Sequence, residues 1–139
     1  MELSSNDRVK LDTADDQIFY QYPRYVHHLS DSFRSRLTKL YSDYLKEHHV
    51  ILDLMTSWVS HLPSNIRYKK VIGHGMNEAE LSSNKRLDKF WVQNLNSTQN
   101  MPIEDSSIDI GLIVAGWQYL NILKKFHWNY QGLSNLIHY

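Results

Sequence analysis

The hydrophobic pattern of this chain consists of one amphipathic stretch and four short apolar runs. Apolar residues recur at helical spacing between Leu29 and Leu45, which predicts a helix that Ser30 or Asp31 caps and that ends near Glu47. Polar loops bound the four apolar runs, which are too short for helices and are predicted as strands. The predicted strands are residues 50–54, 70–73, 91–95 and 108–115.

Two short segments between the strands carry helix-capping residues. Thr56 or Ser57 can cap a helix that ends near Pro63, and Asn77 can cap a second one in which Glu80 stands at the capping-box position. Strands that alternate with helices favour right-handed parallel crossovers. The pattern therefore predicts an α/β fold with a parallel sheet and helices on both of its faces.

The two ends of the chain depart from this alternation. Residues 1–16 are rich in Ser, Asn and Asp and are predicted to form a flexible N-terminal arm. Residues 17–28 are densely aromatic, and we expect an irregular segment with a short helical turn that lies over an apolar surface. Residues 121–139 have only a partial helical spacing and are expected to add no further strand. The prediction is one domain over residues 17–139, with 121–139 as a divergent tail.

Composition narrows the classes of function. With 15 basic and 15 acidic residues the chain has no net charge, so neither nucleic acid nor a membrane is expected as a partner. It has no cysteine, which excludes disulfides and thiolate metal ligands. The adjacent pairs His27-His28 and His48-His49 point apart on a regular element, and no metal site is predicted. Without a signal-peptide pattern or an apolar run of ~18 residues, a cytoplasmic protein is expected.

An acidic residue follows the apolar part of the first predicted strand. Asp53 comes after residues 50–52, and the second strand leads into a Gly-His-Gly turn at 73–75. In open α/β sheets, ligands bind outside the carboxyl ends of the strands, where loops form a crevice and helix N-termini offer free N–H groups. Asp53 therefore either contacts a ligand or caps the following helix, and the sequence leaves both alternatives open.

Five stretches of the chain carry a family resemblance. They read Phe-Tyr-x-Tyr-Pro-Arg-Tyr-Val-His-His at 19–28, Leu-Asp-Leu-Met-x-Ser-Trp-Val-Ser-His-Leu-Pro at 52–63, Gly-His-Gly-Met-Asn-x-x-Glu-Leu at 73–81, Val-Gln-x-Leu-Asn at 92–96 and Gln-Tyr-Leu at 118–120. These stretches resemble the class I S-adenosylmethionine-dependent methyltransferases, and more narrowly a methyltransferase-like group from cyanobacteria and plant plastids. The resemblance covers about residues 17–120, and the first three stretches are specific for the narrow group.

The resemblance implies a partial Rossmann-like sheet of about four parallel strands, in the order 3-2-1-4, with flanking helices. It implies S-adenosylmethionine as the cofactor and a small molecule as the methyl acceptor, and positioning of the two reactants would supply much of the rate. The implied cofactor-binding residues are Asp53, Leu54, Met55, Ser57, Gly73, His74, Gly75, Met76, Asn77, Asn94, Leu95, Asn96 and Val114. The implied substrate-binding residues are Tyr20, Tyr25, His28 and Trp117, although the aromatic segment can also be core packing. No catalytic residue is identified.

Several positions depart from the wider family. The loop after the first strand usually reads Asp-x-Gly-x-Gly, because glycine lets the backbone approach the ligand closely, and here Met55 and Ser57 replace the glycines. Gly75 stands where an acid usually binds the ribose hydroxyls, and Asn94 where an aspartate usually accepts from the adenine amine. An amide oxygen accepts such a hydrogen bond more weakly than a carboxylate. These departures bring the affinity for the cofactor into question.

The resemblance stops after Leu120, where the family continues with a helix, a glycine-rich turn and further strands. This predicts a C-terminally truncated copy whose fourth strand has an open edge, and such an edge favours self-association. The alternative function is therefore a non-catalytic remnant or protein-interaction module that retains the nucleotide-binding half of the fold.

Overall fold

The structure is a computed structural model that describes residues 15–98, 100–104, 106–120 and 136–138, with residue 117 and the last three described by their backbone alone. Its strands are β1 (Val50–Leu54), β2 (Lys70–Gly75), β3 (Lys89–Val92), β4 (Ile110–Ile113) and β5 (Leu136–His138). Its helices are α1 (Asp16–Phe19), α2 (Asp31–Tyr44) and α3 (Glu78–Ser83), and a 3₁₀ turn spans Trp117–Tyr119.

The five strands of the described chain form one sheet in the order β3-β2-β1-β4-β5. All four neighbouring pairs are parallel. From β1 the chain moves outward through β2 to β3 and then crosses to β4 on the other side of β1, which is the order of doubly wound α/β folds. The predicted class, a Rossmann-like parallel sheet with flanking helices, is therefore confirmed, and so is the order 3-2-1-4 of the first four strands.

The fifth strand corrects two expectations about the C-terminal tail. Leu136 to His138 pair in parallel with Gly111 to Ile113 of β4, contrary to the expectation of no further strand. A run of three residues is too short for hydrophobic periodicity to reveal. Because β5 occupies the outer edge of β4, the prediction of self-association through an exposed fourth-strand edge is wrong. Residues 121–135 and 139, the rest of the predicted tail, lie outside the described residues.

The observed strand bounds agree with the pattern for β1 and differ from it for the other three predicted strands. β1 spans residues 50–54, as predicted, and four of its five residues are buried. β3 spans Lys89–Val92 rather than the predicted 91–95. The pattern missed these bounds because β3 is the outermost strand on its side of the sheet and its side chains are mostly exposed. A strand without a buried face carries little hydrophobic signal. β2 is longer and β4 shorter than predicted.

Helix α2 covers one face of the sheet. Ser30 caps it by accepting from the backbone N–H of Phe33 at 3.3 Å, which confirms one of the two predicted caps. Leu37, Tyr41 and Leu45 recur four residues apart, so they form a single stripe that is buried against the sheet. The first hydrophobic cluster consists of these residues with Ile51, Leu62, Val71, Ile110 and Leu112.

Loops rather than helices cover the opposite face in the described part of the chain. Side chains alternate along a strand, so Leu52 and Leu54 point away from α2. The second cluster consists of Leu52, Leu54, Leu95, Met101, Ile108, Ile113 and Leu120. Helix α3 lies on the same side as α2, because a Cβ on Gly75 would meet the Leu81 side chain at 3.0 Å. The expectation of helices on both faces is therefore wrong for the described residues.

Helix α3 is capped as predicted, but without the predicted capping box. The Asn77 side chain accepts from the backbone N–H of Glu80 at 3.1 Å. Glu80 does not bond back to residue 77; it accepts from the backbone N–H of Arg24 at 2.6 Å and from the Ser57 hydroxyl at 2.5 Å. The carboxylate thus joins α3 to two other segments, and these donors satisfy the hydrogen bonding that a buried acid needs.

The predicted helix from Thr56 or Ser57 to Pro63 does not form. Its polar side chains bond to distant groups instead: the Ser57 hydroxyl donates to Glu80, and the Ser60 hydroxyl donates to Asp53 at 2.6 Å. Hydroxyls in short segments readily stabilise such irregular backbone. The expectation of a helix here is wrong because tertiary hydrogen bonds replace local ones.

The aromatic N-terminal segment has the expected short helical turn, α1, followed by an extended path. Asp15 caps α1 and Asp16 is its first residue, so the last two residues of the predicted arm belong to this turn; residues 1–14 lie outside the described chain. No helix in the described ranges has the length and apolar character to cross a membrane.

Candidate functional site

A cleft of about 520 Å³ opens at the carboxyl ends of the central strands. It is lined by the loops that follow β1, β2, β3 and β4, together with the N-terminal segment and α2. The strand order reverses between β1 and β4, and doubly wound sheets bind their ligands in the crevice outside this reversal. The volume is within the range of small-molecule sites.

The cleft gathers nearly all of the predicted cofactor residues. Twelve line it: Asp53, Leu54, Met55, Ser57, His74, Gly75, Met76, Asn77, Asn94, Leu95, Asn96 and Val114. Gly73 does not, and a Cβ there would collide with the Leu87 side chain, so this glycine serves internal packing. Distant stretches of sequence thus meet because the carboxyl ends of parallel strands share one edge of the sheet.

The predicted substrate residues do not all line the cleft. Tyr20 and His28 line the cleft, whereas Tyr25 does not. The Tyr25 hydroxyl donates to the Ala79 carbonyl at 3.4 Å, and its ring meets Trp58 edge-on, so it attaches the N-terminal segment to α3 and to the loop after β1. The side chain of Trp117 lies outside the described part of the structure.

Asp53 is buried at the floor of the cleft. Its Oδ2 accepts from the Ser60 hydroxyl at 2.6 Å, and burial raises the pKa of Asp53 to about 6, against the opposing effect of hydrogen bonds from Ser60 and Thr56. Asn84 donates to the Ser60 hydroxyl at 3.0 Å and to the Ser57 carbonyl at 2.9 Å. This chain of bonds fixes the loop after β1, so Asp53 shapes the cleft whether or not it also contacts a ligand.

His74 joins the ends of three strands. Its Nδ1 accepts from the backbone N–H of Met55 at 3.2 Å, and its Nε2 bonds to the Gln93 carbonyl at 2.8 Å. Because one partner is a donor and the other an acceptor, the ring is neutral with its hydrogen on Nε2. Burial lowers the pKa of His74 to about 4, although the bond to Gln93 favours the charged form. Both ring nitrogens are engaged by backbone, so this predicted cofactor residue has a structural role.

Two loops of the cleft contain residues in the left-handed conformation. Met55 has φ 55° and Ala115 has φ 51°, values at which glycine is favoured over other residues. Met55 occupies the first position where the resembling family has glycine. The backbone therefore follows the course that glycine normally allows, and the methionine side chain packs on the second cluster.

Gly75 leaves no room for the acid that the resembling family has at this position. A Cβ there would lie 2.5 Å from the Thr56 carbonyl oxygen and 3.0 Å from Leu81. The loop after β1 approaches β2 closely here, and the Thr56 N–H donates to the His74 carbonyl at 2.8 Å. The glycine therefore allows two backbone segments to pack together.

The polar residues next to Gly75 hold the N-terminal segment. The Asn77 amide donates to the carbonyls of Tyr20 and Gln21 at 2.9 and 3.3 Å, and Glu80 accepts from the Arg24 N–H. Segment 20–28 is thereby tied along one side of the cleft.

The loop after β3 forms the other end of the cleft. The Asn94 side chain accepts from the backbone N–H of Asn96 at 2.9 Å, and the Asn96 amide donates to Asp16 at 3.0 Å and to the Tyr119 carbonyl at 2.9 Å. Gln93 supports this loop by donating to the Thr98 carbonyl at 2.6 Å. The two asparagines thus present amide groups at this end of the cleft.

Sequence reasoning missed several residues of the cleft. Trp58 donates from its indole nitrogen to the Val26 carbonyl at 3.2 Å, and Arg34 and His61 line the end of the cleft next to α2. Arg34 resembles the solvated charges on the same helix, and His61 lies in a segment predicted as helical. Only the tertiary structure brings them to the cleft. Among the described residues, no group of three or more His, Asp or Glu side chains could hold a metal ion.

Comparisons with known proteins assign neither a family nor an activity to the chain. No protein-family model matches the chain, and no curated protein matches it. Among solved structures, the chain is similar to one chain of the complex between the Haloferax volcanii Trm112 methyltransferase activator and a candidate methyltransferase, with 14% identity and a TM-score of 0.40. The similarity covers 66% of this chain and 50% of that one. It is too distant to assign an activity, so the class rests on strand order and cleft position: an α/β protein with a parallel sheet of Rossmann-like strand order and a cleft at the strand-order reversal.

Proposed function

We propose that the cleft binds S-adenosylmethionine and that the protein is an S-adenosylmethionine-dependent methyltransferase with a small-molecule acceptor. The observation that carries the proposal is the position of the cleft, where the loops after four parallel strands converge outside the reversal of strand order. The resemblance over residues 17–120 supports the same assignment from the sequence.

The donor groups of the cleft fit one part of the cofactor better than another. Asn94 lines the end of the cleft that the loop after β3 forms, and its amide oxygen, which accepts from the Asn96 N–H, has a second lone pair suited to the edge of a nucleobase. The Asn96 amide already donates to Asp16 and to the Tyr119 carbonyl, so it holds the loop. At the usual ribose position Gly75 offers no carboxylate, and the neighbouring Asn77 and Glu80 are engaged with the N-terminal segment. We therefore expect recognition of the adenine to contribute more to affinity than recognition of the ribose.

The bound cofactor would supply an electrophilic methyl group, and the chain would supply position. Asp53 and His74 fix the loops that follow β1 and β3, so they act as positioning residues rather than as proton donors or acceptors. Tyr20 and Tyr119 line the cleft, where their rings can exclude water from a bound ligand. Holding two reactants in line is a large part of catalysis for such a transfer.

The proposal is tested by calorimetric titration of the protein with S-adenosylhomocysteine. We expect binding in the micromolar range. Asn94→Leu should weaken it by about tenfold, the cost of one lost hydrogen bond to a buried partner. Asn94→Asp should instead tighten it, because a carboxylate accepts more strongly from an amine. Both substitutions also change the bond that residue 94 accepts from the Asn96 N–H, so the free energy of unfolding of each variant is measured beside its affinity. A change in affinity that only follows the change in stability would assign residue 94 a structural role.

Asn100 provides the matched control, because it is exposed on the same loop and does not line the cleft. Asn100→Asp and Asn100→Leu should leave the affinity unchanged. If the folded protein does not bind S-adenosylhomocysteine, the methyltransferase proposal is wrong and the alternative of a non-catalytic binding module is favoured.

A further inference from the structure

The cleft continues past the proposed cofactor contacts to an end that they do not use. Arg34, His27 and His61 line this end, here called the basic end. It lies on the α2 side of the sheet, where Thr38 of α2 donates from its hydroxyl to the His61 carbonyl at 2.9 Å. Leu95, at the proposed adenine contacts, belongs to the hydrophobic cluster on the opposite face. The basic end and the proposed adenine end of the cleft therefore lie on opposite faces of the sheet.

Each residue of the basic end is held by an independent contact. Arg34 precedes Thr38 by one helical turn, so both lie on the same face of α2, and Thr38 places His61 beside that face. The His27 ring packs on the Trp58 ring with 4.9 Å between their centroids. Trp58 is itself bonded to the Val26 carbonyl. The three basic side chains thus come together from three separate segments of the chain.

Arg34 has unused hydrogen-bonding capacity. Its Nη2 pairs with Asp31, whose side chain is 93% exposed, so solvent screens that pair. Its Nε is buried and has no hydrogen-bond partner among the described residues. A buried donor without a partner is costly, and a guanidinium is suited to bind carboxylate or phosphate through more than one N–H.

The surroundings of the basic end are positive. Three effects lower the pKa of His61. Burial is the largest of them, the positive charge of Arg34 is the second, and the electrostatic effect of His27 is the third. The acids that line the cleft are engaged elsewhere: Asp53 accepts from Ser60, Glu80 accepts from the Arg24 backbone N–H and from Ser57, and Asp16 accepts from Asn96. Asp31 is the acid that faces Arg34 directly, and it is exposed.

We propose that the basic end is a binding subsite for an anionic group, a carboxylate or a phosphate, of the methyl acceptor. The proposal rests on the proposed function for the identity of the ligand, but the anion site itself can be tested without the cofactor. The carboxylate of S-adenosylmethionine has the same chemistry, so the experiment must distinguish the two sources.

The first arm uses inorganic phosphate as the probe and histidine NMR as the readout. We expect phosphate to shift the His61 resonances saturably and to raise the pKa of His61, because a bound anion opposes the nearby positive charge. Arg34→Met should weaken phosphate binding by about tenfold, and Arg34→Lys should restore part of it. Arg36→Met, at an exposed arginine of α2 that does not line the cleft, is the control and should have no effect. No saturable shift of His61 in the folded protein would overturn the proposal.

The second arm compares S-adenosylhomocysteine with 5′-methylthioadenosine, which lacks the amino-acid carboxylate. If Arg34→Met leaves both affinities unchanged while it weakens phosphate, the anion belongs to the acceptor. If it weakens only S-adenosylhomocysteine, Arg34 binds the carboxylate of the cofactor and the acceptor proposal is wrong. If phosphate binds but neither nucleoside does, the proposed methyltransferase function fails while the anion site stands.

Discussion

At the scale of single residues, the loop after β1 contains a strained backbone conformation that hydrogen bonds to His74 hold in place. Met55 adopts φ 55°, which costs a residue with a side chain about 1–2 kcal/mol relative to the right-handed region. The conformation persists because the backbone N–H of Met55 donates to His74, and the N–H of Thr56 donates to the His74 carbonyl. Backbone strain of this kind is often found at ligand sites, where the surrounding structure enforces it.

Replacing Met55 separates this strain from side-chain packing. Met55→Ala and Met55→Gly both remove the contact with the second cluster, but only glycine relieves the left-handed backbone. We expect Met55→Gly to have the higher free energy of unfolding of the two, by about 1 kcal/mol, in urea denaturation. At the exposed helical residue Ala79, glycine should instead be worse than alanine by about 0.5–1 kcal/mol. Equal stability of the two variants at residue 55 would contradict the assigned strain.

At the scale of elements, α3 is short and acts mainly as an anchor. Its cap Asn77 and its carboxylate Glu80 bond to the backbone of the N-terminal segment, and Tyr25 of that segment bonds back to Ala79. Segment 20–28 is mostly exposed and lies along one side of the cleft. Access to the cleft on this side therefore depends on a few polar bonds rather than on buried apolar area.

Asn77→Asp should release this segment without unfolding α3. Aspartate caps a helix as well as asparagine does, but it cannot donate to the carbonyls of Tyr20 and Gln21. We expect faster amide hydrogen exchange over residues 20–26 and faster tryptic cleavage after Arg24, with global stability changed by less than about 1 kcal/mol. Asn65→Asp, at an exposed asparagine, is the control. Unchanged exchange in the segment would show that other contacts hold it.

At the scale of the whole molecule, two buried ionisable groups make stability depend on pH in opposite directions. Burial raises the pKa of Asp53 from 3.8 to about 6, so the folded state binds more protons than the unfolded state between these values and stability falls as pH rises. Burial lowers the pKa of His74 from 6.5 to about 4, so the unfolded state binds more protons there and stability rises with pH. Between about pH 4 and pH 6 the two effects largely cancel.

Single substitutions should separate the contributions of Asp53 and His74 to the pH dependence of the free energy of unfolding. Asp53→Asn should leave a protein whose free energy of unfolding rises between about pH 4 and pH 6.5, by roughly 3 kcal/mol, because only His74 then contributes. His74→Gln should leave the opposite slope, which reflects Asp53, over about pH 4 to pH 6. Urea denaturation across this range measures both, with the exposed carboxylate variant Asp43→Asn as the charge control. If the free energy of unfolding depends on pH in the same way for Asp53→Asn and for the unsubstituted protein, then the raised pKa of Asp53 is contradicted.

The sequence by itself determined the central strands, the capped helices α2 and α3, and the loops that form the cleft. Strands buried on both faces and caps with side-chain acceptors leave strong local patterns, so β1, Ser30 and Asn77 could be predicted. The order of the strands and the convergence of their loops followed from the family resemblance and the alternation of elements. All but one of the predicted cofactor residues line the cleft for this reason.

Only the tertiary structure decided the roles of the polar residues. Asp53 and His74 were candidates for ligand contact and Glu80 was a candidate for a capping box, but each is engaged by partners distant in sequence, which no local pattern specifies. The same is true of β5, whose three residues gain their strand conformation from pairing with β4, and of the loop 56–63, where hydrogen bonds to other elements replace a helix. Contacts between distant segments are set by how the whole chain packs, because burial makes a satisfied polar bond worth more than local propensity.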